Sequence, residues 1–315
     1  MVRLHPVASF GVVAWLLAPG PIAAQPRTVV MVPVPAPASA VEHRIHAVGD
    51  LDRTFAFYRD VLRLPVLEPP ADAGGRFPEM LAGTSGAVVR VASFELPGAD
   101  AGLLLAEFDG IDRRPQRPRR TDPGASVLRM RVRDLDAVVA AARAFGTPVV
   151  RSDGELEAAV LVDPDGFFVE VDRPSTLPDG APGNIVDTRL AFTVADPELV
   201  AVFYRDVLGF SIERGAVGTS GQGLTRMARI PGAPLTWEFT SYEETDRMAH
   251  VGRLQDPGTP TMAIHVPNVR VAAEAARRAG LPVLSAGGEP VMLEAGGLVL
   301  IRDPGGLLLE LIERR

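Results

Sequence analysis

Apolar residues recur in two different periods along the chain, and together these periods predict short strands separated by amphipathic helices. One face of residues 51–62 is apolar at spacings of three and four, which predicts a helix there. The residues on that face are Leu51, Phe55, Tyr58 and Leu62. Asp50 precedes this helix as an N-cap residue, because its short carboxylate can accept hydrogen bonds from unpaired backbone N–H groups. A second helix is predicted over residues 135–145, between the N-cap residue Asp134 and the C-terminal glycine Gly146.

Short apolar runs after each helix predict strands. They cover residues 87–94, 102–108, 158–162 and 167–172, and the Asp-Pro-Asp-Gly run at 163–166 predicts a tight turn between the last two. The predicted unit is therefore one strand, one helix and about three further strands. Four such units make an α+β protein, in which the helices cover one face of curved sheets and leave a concave cup on the other face.

An internal repeat divides the chain into two similar halves. The run Phe-Tyr-Arg-Asp-Val-Leu at 57–62 recurs at 203–208. The Asp-Pro-Asp-Gly turn that leads to Glu170 is matched by Asp-Pro-Gly-Gly at 303–306, which leads to Glu310. A weaker repeat relates residues 48–52 to residues 132–136 within the first half, and each copy opens a helix. Ordered blocks that recur in this way indicate tandem domains.

These motifs resemble those of the vicinal-oxygen-chelate (VOC) superfamily, which includes glyoxalase, bleomycin-resistance and extradiol-dioxygenase proteins. The resemblance rests on the Phe-Tyr-x-x-x-Leu helix and the Asp-Pro-x-Gly-x-x-x-Glu hairpin, and it covers residues 41–315. It implies an α+β fold of four βαβββ modules, paired into two VOC domains with concave mixed-sheet cups. The first domain would span residues 41–178, and the second would span residues 179–315.

The resemblance also implies ligand positions for a divalent metal on the first, fourth, fifth and eighth strands of a domain, since alternate strand residues face the cup. In the first domain these positions hold His43, Glu107, Val127 and Glu170. Valine cannot bind a metal, so one divalent metal would have at most His43, Glu107 and Glu170 as ligands. His46 has odd spacing from His43 and should face the helices, although alternation alone also allows the opposite register.

The second domain is expected to bind no metal. Its four corresponding positions hold Arg189, Glu238, Thr261 and Glu310, and arginine has no lone pair to donate. His265 lies too far along the strand to replace Thr261. We expect Arg189 to form a salt bridge with Glu310 where a metal would lie, with Glu238 as a competing partner.

The first 24 residues read as a secretory signal peptide. Arg3 is followed by an apolar stretch over residues 7–18, which is too short to span a bilayer, and small residues surround the expected cleavage site after Ala24. An uncleaved membrane anchor is the alternative interpretation. Residues 25–40 read as a proline- and alanine-rich spacer, and no later segment is expected to span a membrane. The mature protein would be periplasmic or extracellular.

The amino-acid composition excludes several kinds of catalysis and disfavours one class of binding partner. The 315 residues include neither cysteine nor lysine, which excludes disulfides, thiolate ligands and lysine-based catalysis. A formal net charge of −7 disfavours binding to nucleic acid. The arginine-rich run at 113–120 reads as a solvated loop rather than as an anion site.

Three functions remain open for this sequence. We favour an exported protein of unassigned activity that binds a small molecule in a sheet cup and carries a degenerate metal site. The first alternative is a metal-dependent lyase or dioxygenase-like enzyme that uses the first domain. The second alternative is a structural or interaction module of the cell envelope. A monomer is expected, because the second copy of the domain is fused in the same chain.

Overall fold

The computed structural model describes residues 38–73, 81, 84–152, 157–174, 176, 183–215 and 222–314. The predicted signal peptide and all but the last three residues of the predicted spacer lie outside the described residues. Export and the boundary at residue 24 therefore stay predictions.

The described residues form four modules, each with one strand, one helix and three further strands. The strands of the first module are β1 Ala40–Val48, β2 Val66–Asp72, β3 Val88–Glu95 and β4 Gly102–Asp109. Those of the second are β5 Ser126–Val132, β6 Val149–Ser152, β7 Ala158–Val162 and β8 Phe168–Asp172. Those of the third are β9 Ile185–Thr193, β10 Ser211–Arg214, β11 Gln222–Arg229 and β12 Thr236–Tyr242. Those of the fourth are β13 Pro260–His265, β14 Val291–Leu293, β15 Gly296–Arg302 and β16 Leu308–Arg314.

One α-helix follows the first strand of each module. These helices are α1 Leu51–Ala56, α2 Leu135–Phe145, α3 Pro197–Asp206 and α4 Val269–Arg278. A π-helical turn, Phe57–Val61, extends α1, and a short 3₁₀ turn covers Ala286–Gly288. The predicted N-caps are confirmed, since Asp50 accepts a hydrogen bond from the Arg53 N–H and Asp134 accepts one from the Ala137 N–H.

The strands form two eight-stranded mixed sheets, which confirms the α+β class and the four-module architecture. One sheet has the order β14-β15-β16-β13-β1-β4-β3-β2, and the other has the order β10-β11-β12-β9-β5-β8-β7-β6. The first sheet therefore joins the first module to the fourth, and the second joins the second module to the third. We call their concave faces the outer cup (strands β1–β4 and β13–β16) and the inner cup (strands β5–β12).

This pairing corrects one expectation from the sequence. Each cup was expected to combine two consecutive modules, so that His43 and Glu170 would share one cup. In the structure the outer cup forms because β1 pairs antiparallel with β13, and the inner cup forms because β5 pairs antiparallel with β9. Each cup thus takes one module from each half of the repeat.

The two repeated motifs contact each other between consecutive modules. The Tyr58 hydroxyl donates to Oδ2 of Asp163 over 3.0 Å, and the Tyr204 hydroxyl donates to Oδ2 of Asp303 over 2.9 Å. All four side chains are buried. The helix motif of modules one and three therefore docks on the turn motif of modules two and four, which gives both motifs a structural role.

The buried apolar residues form two separate cores on the faces of the sheets. The larger core contains buried residues of all four modules on the helix-covered faces, such as Leu51, Leu135, Phe203 and Val269. The smaller core lies in the outer cup. Among the described residues, no helix is long and apolar enough to cross a membrane.

Candidate functional site

The outer cup encloses a cavity of about 460 Å³. Its walls are mostly apolar because apolar side chains of seven strands face it. The apolar lining includes Ile45, Val89, Val91, Leu104, Ala106, Phe108, Ala263, Leu298 and Ile312. Cavities of roughly 300–1,000 Å³ with apolar walls and a few polar groups are typical of small-molecule sites.

His43 faces this cavity, as the sequence predicted. The pairing of β1 with β13 is irregular between Val41 and His43, and this bulge turns both Glu42 and His43 toward the cavity. Burial lowers the pKa of His43, and the nearby Glu42 only partly opposes this effect. His43 is therefore a largely neutral imidazole on the cup wall.

Gly102 makes room for the His43 ring on the neighbouring strand. The two residues are in register between β1 and β4, and a Cβ atom at Gly102 would lie 2.7 Å from Cδ2 of His43. A side chain larger than hydrogen at Gly102 would therefore displace the imidazole.

Glu310 is the deepest ionisable group of the cup and is only 6% exposed. It lines the cavity from β16, and it lies in register with Ala263 of β13, which in turn lies in register with His43. The three residues thus form one row across three strands, and His43 and Glu310 are about 10 Å apart at their Cα atoms. Burial and, to a smaller extent, the nearby charge of Glu42 together raise the pKa of Glu310 to about 7.

Charged residues form an ion-paired rim at one end of the cavity. The Glu42 carboxylate lies 3.0 Å from Nε2 of His265 and also forms a salt bridge with Arg314. Nδ1 of His43 is 3.8 Å from the same carboxylate. Glu42 thus has one permanent cation, Arg314, as its partner at this end of the cavity.

Glu107 does not face the outer cup, which corrects its assignment as a metal ligand. It alternates with Leu104, Ala106 and Phe108, which line the cavity, so it lies on the opposite face of β4. There its carboxylate accepts a hydrogen bond from the Leu51 N–H at the start of α1. Arg90 lies 3.3 Å from Glu107 and also binds Asp52 of α1. Glu107 therefore anchors a helix to the sheet.

The inner cup is filled by ion pairs instead of apolar side chains. Arg129 of β5 lies 3.2 Å from Glu170 of β8 and also forms a salt bridge with Glu238 of β12. Arg120 reaches Glu170 over 3.0 Å from the loop that precedes β5. One guanidinium thus joins two carboxylates that the sequence had placed at ligand positions.

The predicted salt bridge between Arg189 and Glu310 is wrong, because the two residues lie in different sheets. Nε of Arg189 instead donates to Oδ2 of Asp187 over 3.1 Å. Glu238 is paired with Arg129. The arginine that lies between two carboxylates is Arg129, which pairs with Glu170 and Glu238 in the inner cup.

The predicted metal ligands do not converge on one ion. His43 lies in the outer cup, Glu107 lies on the helix side of the same sheet, and Glu170 lies in the inner cup. Within the described part of the chain, no group of three histidine, aspartate or glutamate residues is placed to hold a metal. In the outer cup, the strands that would supply further ligands present Leu104, Ala106 and Ala263. The donor set around the cavity therefore does not fit the divalent metal that the resemblance implies.

Ion pairs and a hydrogen bond hold the arginine-rich loop at 113–120 in place. Arg113 pairs with Asp109 over 3.0 Å, and Arg119 pairs with Asp122 over 2.9 Å. Arg117 donates to the Pro164 carbonyl oxygen over 3.2 Å. These contacts give the loop a structural role, whereas the sequence had indicated a solvated loop.

Sequence reasoning missed Arg129, Glu42 and Gly102. Arg129 lies two residues after Val127 and therefore on the same strand face, so alternation could have revealed it. The bulge that turns Glu42 inward and the fit of Gly102 against His43 depend on contacts between strands, and no local pattern encodes them.

Comparison with known proteins gives one family. The model of the Glyoxalase/Bleomycin resistance protein/Dioxygenase superfamily matches residues 40–171 and 188–311. A 2-epi-5-epi-valiolone epimerase from Actinomyces sp. is 31% identical over 156 residues, which cover 46% of this chain and 83% of that protein.

Solved structures agree on the fold. Glyoxalase I from Zea mays has a TM-score of 0.61 at 19% identity, with 87% of this chain and 92% of that chain covered. A putative dioxygenase from Bacillus subtilis has a TM-score of 0.56 at 14% identity, with 88% and 86% covered. Two family matches that together span most of the chain, and a two-sheet fold shared with these structures, lead to one conclusion: the chain belongs to the glyoxalase, bleomycin-resistance and dioxygenase superfamily.

Proposed function

We propose that this protein binds one small, largely apolar molecule in the outer cup, without a metal. The observation that carries the proposal is the cavity of about 460 Å³, with its mostly apolar walls and a few polar groups, among them His43 and Glu310. Burial of a ligand's apolar surface against these walls would supply most of the affinity.

The contrast between the two cups supports a single site per chain. In the inner cup, Arg129, Glu170 and Glu238 occupy the concave face with ion pairs. An apolar ligand would have to break those pairs and leave charges unpaired, which is costly. The outer cup presents aliphatic and aromatic side chains instead.

A neutral apolar dye tests this proposal. N-phenyl-1-naphthylamine should bind with increased fluorescence and a stoichiometry near one per chain. An Ala106→Phe variant should weaken binding by at least tenfold, because Ala106 is 4% exposed and lines the cavity. Val150→Phe is the matched control, since Val150 is 69% exposed and does not line it. Circular dichroism would verify that both variants fold. Binding that is unchanged in Ala106→Phe, or a lack of binding by the wild type, would refute the proposal.

A metal-dependent enzyme is the second candidate, and the similarity to an epimerase favours it. In that case, purified protein should contain a stoichiometric divalent metal that a His43→Ala variant loses. A metal content below about 0.1 per chain after purification without chelators is on the order of background. Such a result would favour the metal-free binding function over a metal-dependent enzyme.

Export belongs to the same proposal. The short apolar stretch over residues 7–18 and the small residues near Ala24 support secretion. N-terminal sequencing of the protein from an expressing cell should give Gln25 as the first residue. A sequence that starts at Met1 would contradict it.

A further inference from the structure

Glu310 and Glu170 occupy the same place in the two cups but have opposite surroundings. Glu170 lies in register with Arg129, which pairs with it over 3.2 Å. Glu310 lies in register with Ala263. Within the described part of the chain, the Glu310 carboxyl group has no hydrogen-bond or salt-bridge partner, although it is buried. Because Glu310 lines the cavity without a protein partner, its carboxyl group must find its hydrogen bonds inside the cavity, where a ligand can supply them.

The groups around Glu310 favour its neutral form. From β1, Glu42 and His43 face the same cavity, and the charge of Glu42 opposes ionisation of Glu310. His265 on β13 and Arg314 on β16 are engaged by Glu42. The last acid on β16, Glu313, accepts a hydrogen bond from the Val269 N–H at the start of α4. None of these groups stabilises a Glu310 carboxylate, and burial together with the charge of Glu42 raises the pKa of Glu310 to about 7.

We propose that Glu310 is the polar recognition group of the outer cup and that, as a neutral carboxylic acid, it donates a hydrogen bond to a carbonyl oxygen of an uncharged ligand. This inference rests on the proposed binding function and names the ligand class. The class is an aromatic or aliphatic ketone, ester or amide whose carbonyl points at β16. The neutral His43, two strands away in the same row, can accept a hydrogen bond from a ligand hydroxyl or N–H group.

A ligand with a protonated amine is the alternative that the geometry disfavours. It would require an ionised Glu310 beside Glu42, and both the ammonium and the carboxylate would lose their hydration in an apolar cup. A neutral donor and a neutral acceptor avoid that desolvation penalty.

Two dyes and two variants separate these possibilities. The ketone probe is 6-propionyl-2-(dimethylamino)naphthalene, and the probe without a carbonyl is N-phenyl-1-naphthylamine. Glu310→Leu should weaken ketone binding about tenfold, the effect of one lost hydrogen bond in an apolar site. Glu310→Gln should keep ketone affinity within about twofold, because the amide is neutral and still donates. Neither variant should change the affinity for N-phenyl-1-naphthylamine by more than about twofold. Glu213→Gln, on the edge strand β10 of the other sheet, is the control.

Four other results of these binding experiments would overturn either the inference or the proposed function. If Glu310→Gln weakens ketone binding as much as Glu310→Leu does, a neutral donor at this position does not hold the ketone and the inference is overturned. The inference is also overturned if 1-naphthylmethylammonium binds more tightly than the ketone and Glu310→Gln abolishes its binding. Unchanged ketone affinity in Glu310→Leu would exclude Glu310 as a recognition group. The failure of both neutral dyes to bind the wild type would refute the proposed function itself, which distinguishes the two failures.

Discussion

The Tyr58 hydroxyl donates a hydrogen bond to Oδ2 of Asp163 over 3.0 Å and so joins the helix of the first module to the turn of the second. The same hydroxyl lies 3.2 Å from Nδ1 of His46, and Nε2 of His46 accepts a hydrogen bond from Arg44. Because the hydroxyl hydrogen goes to Asp163, Nδ1 of His46 must carry the proton that reaches the tyrosine oxygen. A neutral His46 fits this arrangement, since burial and Arg44 keep the pKa of His46 well below its ordinary value.

The first prediction compares the two tyrosines of the repeat. Tyr58→Phe should reduce the free energy of unfolding by about 2 kcal/mol, because it leaves Oδ2 of Asp163 and Nδ1 of His46 without their buried partner. Tyr204→Phe should cost about 1 kcal/mol, because the Tyr204 hydroxyl bonds to Asp303 alone. Urea denaturation monitored by circular dichroism measures both. A larger loss for Tyr204→Phe would contradict the network described for Tyr58.

The second prediction concerns pH. Burial raises the pKa of Asp163 from 3.8 to about 7. An acid whose pKa is raised in the folded state stabilises the fold fully when the pH is below the pKa that the acid has in the unfolded chain. This stabilisation is lost as the pH rises through the folded-state pKa of about 7. Asp163→Asn cannot ionise, so the loss of stability between pH 4 and pH 8 should be smaller in this variant than in the wild type. The measurement is the free energy of unfolding at both values. An equal or steeper loss in Asp163→Asn would show that Asp163 ionises normally.

The third prediction tests the ion pairs of the inner cup. Arg129→Met should lower the free energy of unfolding by roughly 3 kcal/mol, because Glu238 then lacks a cation in a partly buried site and Glu170 keeps only Arg120. Arg131→Met is the control and should cost no more than about 0.5 kcal/mol, since its two ion pairs are 3.9 Å long and its side chain is 41% exposed. Adding Glu170→Gln and Glu238→Gln to Arg129→Met should recover most of the loss. Without any such recovery, charge would not be the reason for the effect.

The fourth prediction concerns Gly102 and His43. Gly102→Ala should displace the His43 imidazole, because the new Cβ atom would lie 2.7 Å from Cδ2. The displaced ring would be better hydrated, so the depressed pKa of His43 should rise toward 6.5. An NMR titration of the histidine resonances measures this shift, and a His43→Ala variant identifies the signal. A His43 pKa that is the same in Gly102→Ala and in the wild type would mean that the ring tolerates the methyl group.

The fifth prediction is that the protein is a monomer. The pairing of β1 with β13 completes the outer cup within one chain, and the pairing of β5 with β9 completes the inner cup. Neither cup needs a second subunit to be complete. Sedimentation equilibrium at micromolar concentration should give a mass near that of one chain. A stable dimer would contradict this prediction.

Local patterns in the sequence determined the modules and the direction of many side chains. Periodicity and capping residues placed α2 at residues 135–145, as the structure has it, and the spacing of His43 and His46 assigned them to opposite faces of β1. The repeat established that four similar modules exist. These features are local because a helix period, a cap or a strand alternation involves residues only a few positions apart.

The tertiary structure decided which modules share a cup, and therefore which side chains meet. The edge of β1 could pair with any homologous strand, and alternation along β1 does not identify its neighbour. The choice of β13 separates His43 from Glu170 and places it in a row with Ala263 and Glu310. The same choice leaves Glu310 in an apolar cavity, whereas Glu170 pairs with Arg129. The physical reason is that strand pairing depends on backbone hydrogen bonds, which every strand offers equally, so the partner is selected only by the packing of the whole chain.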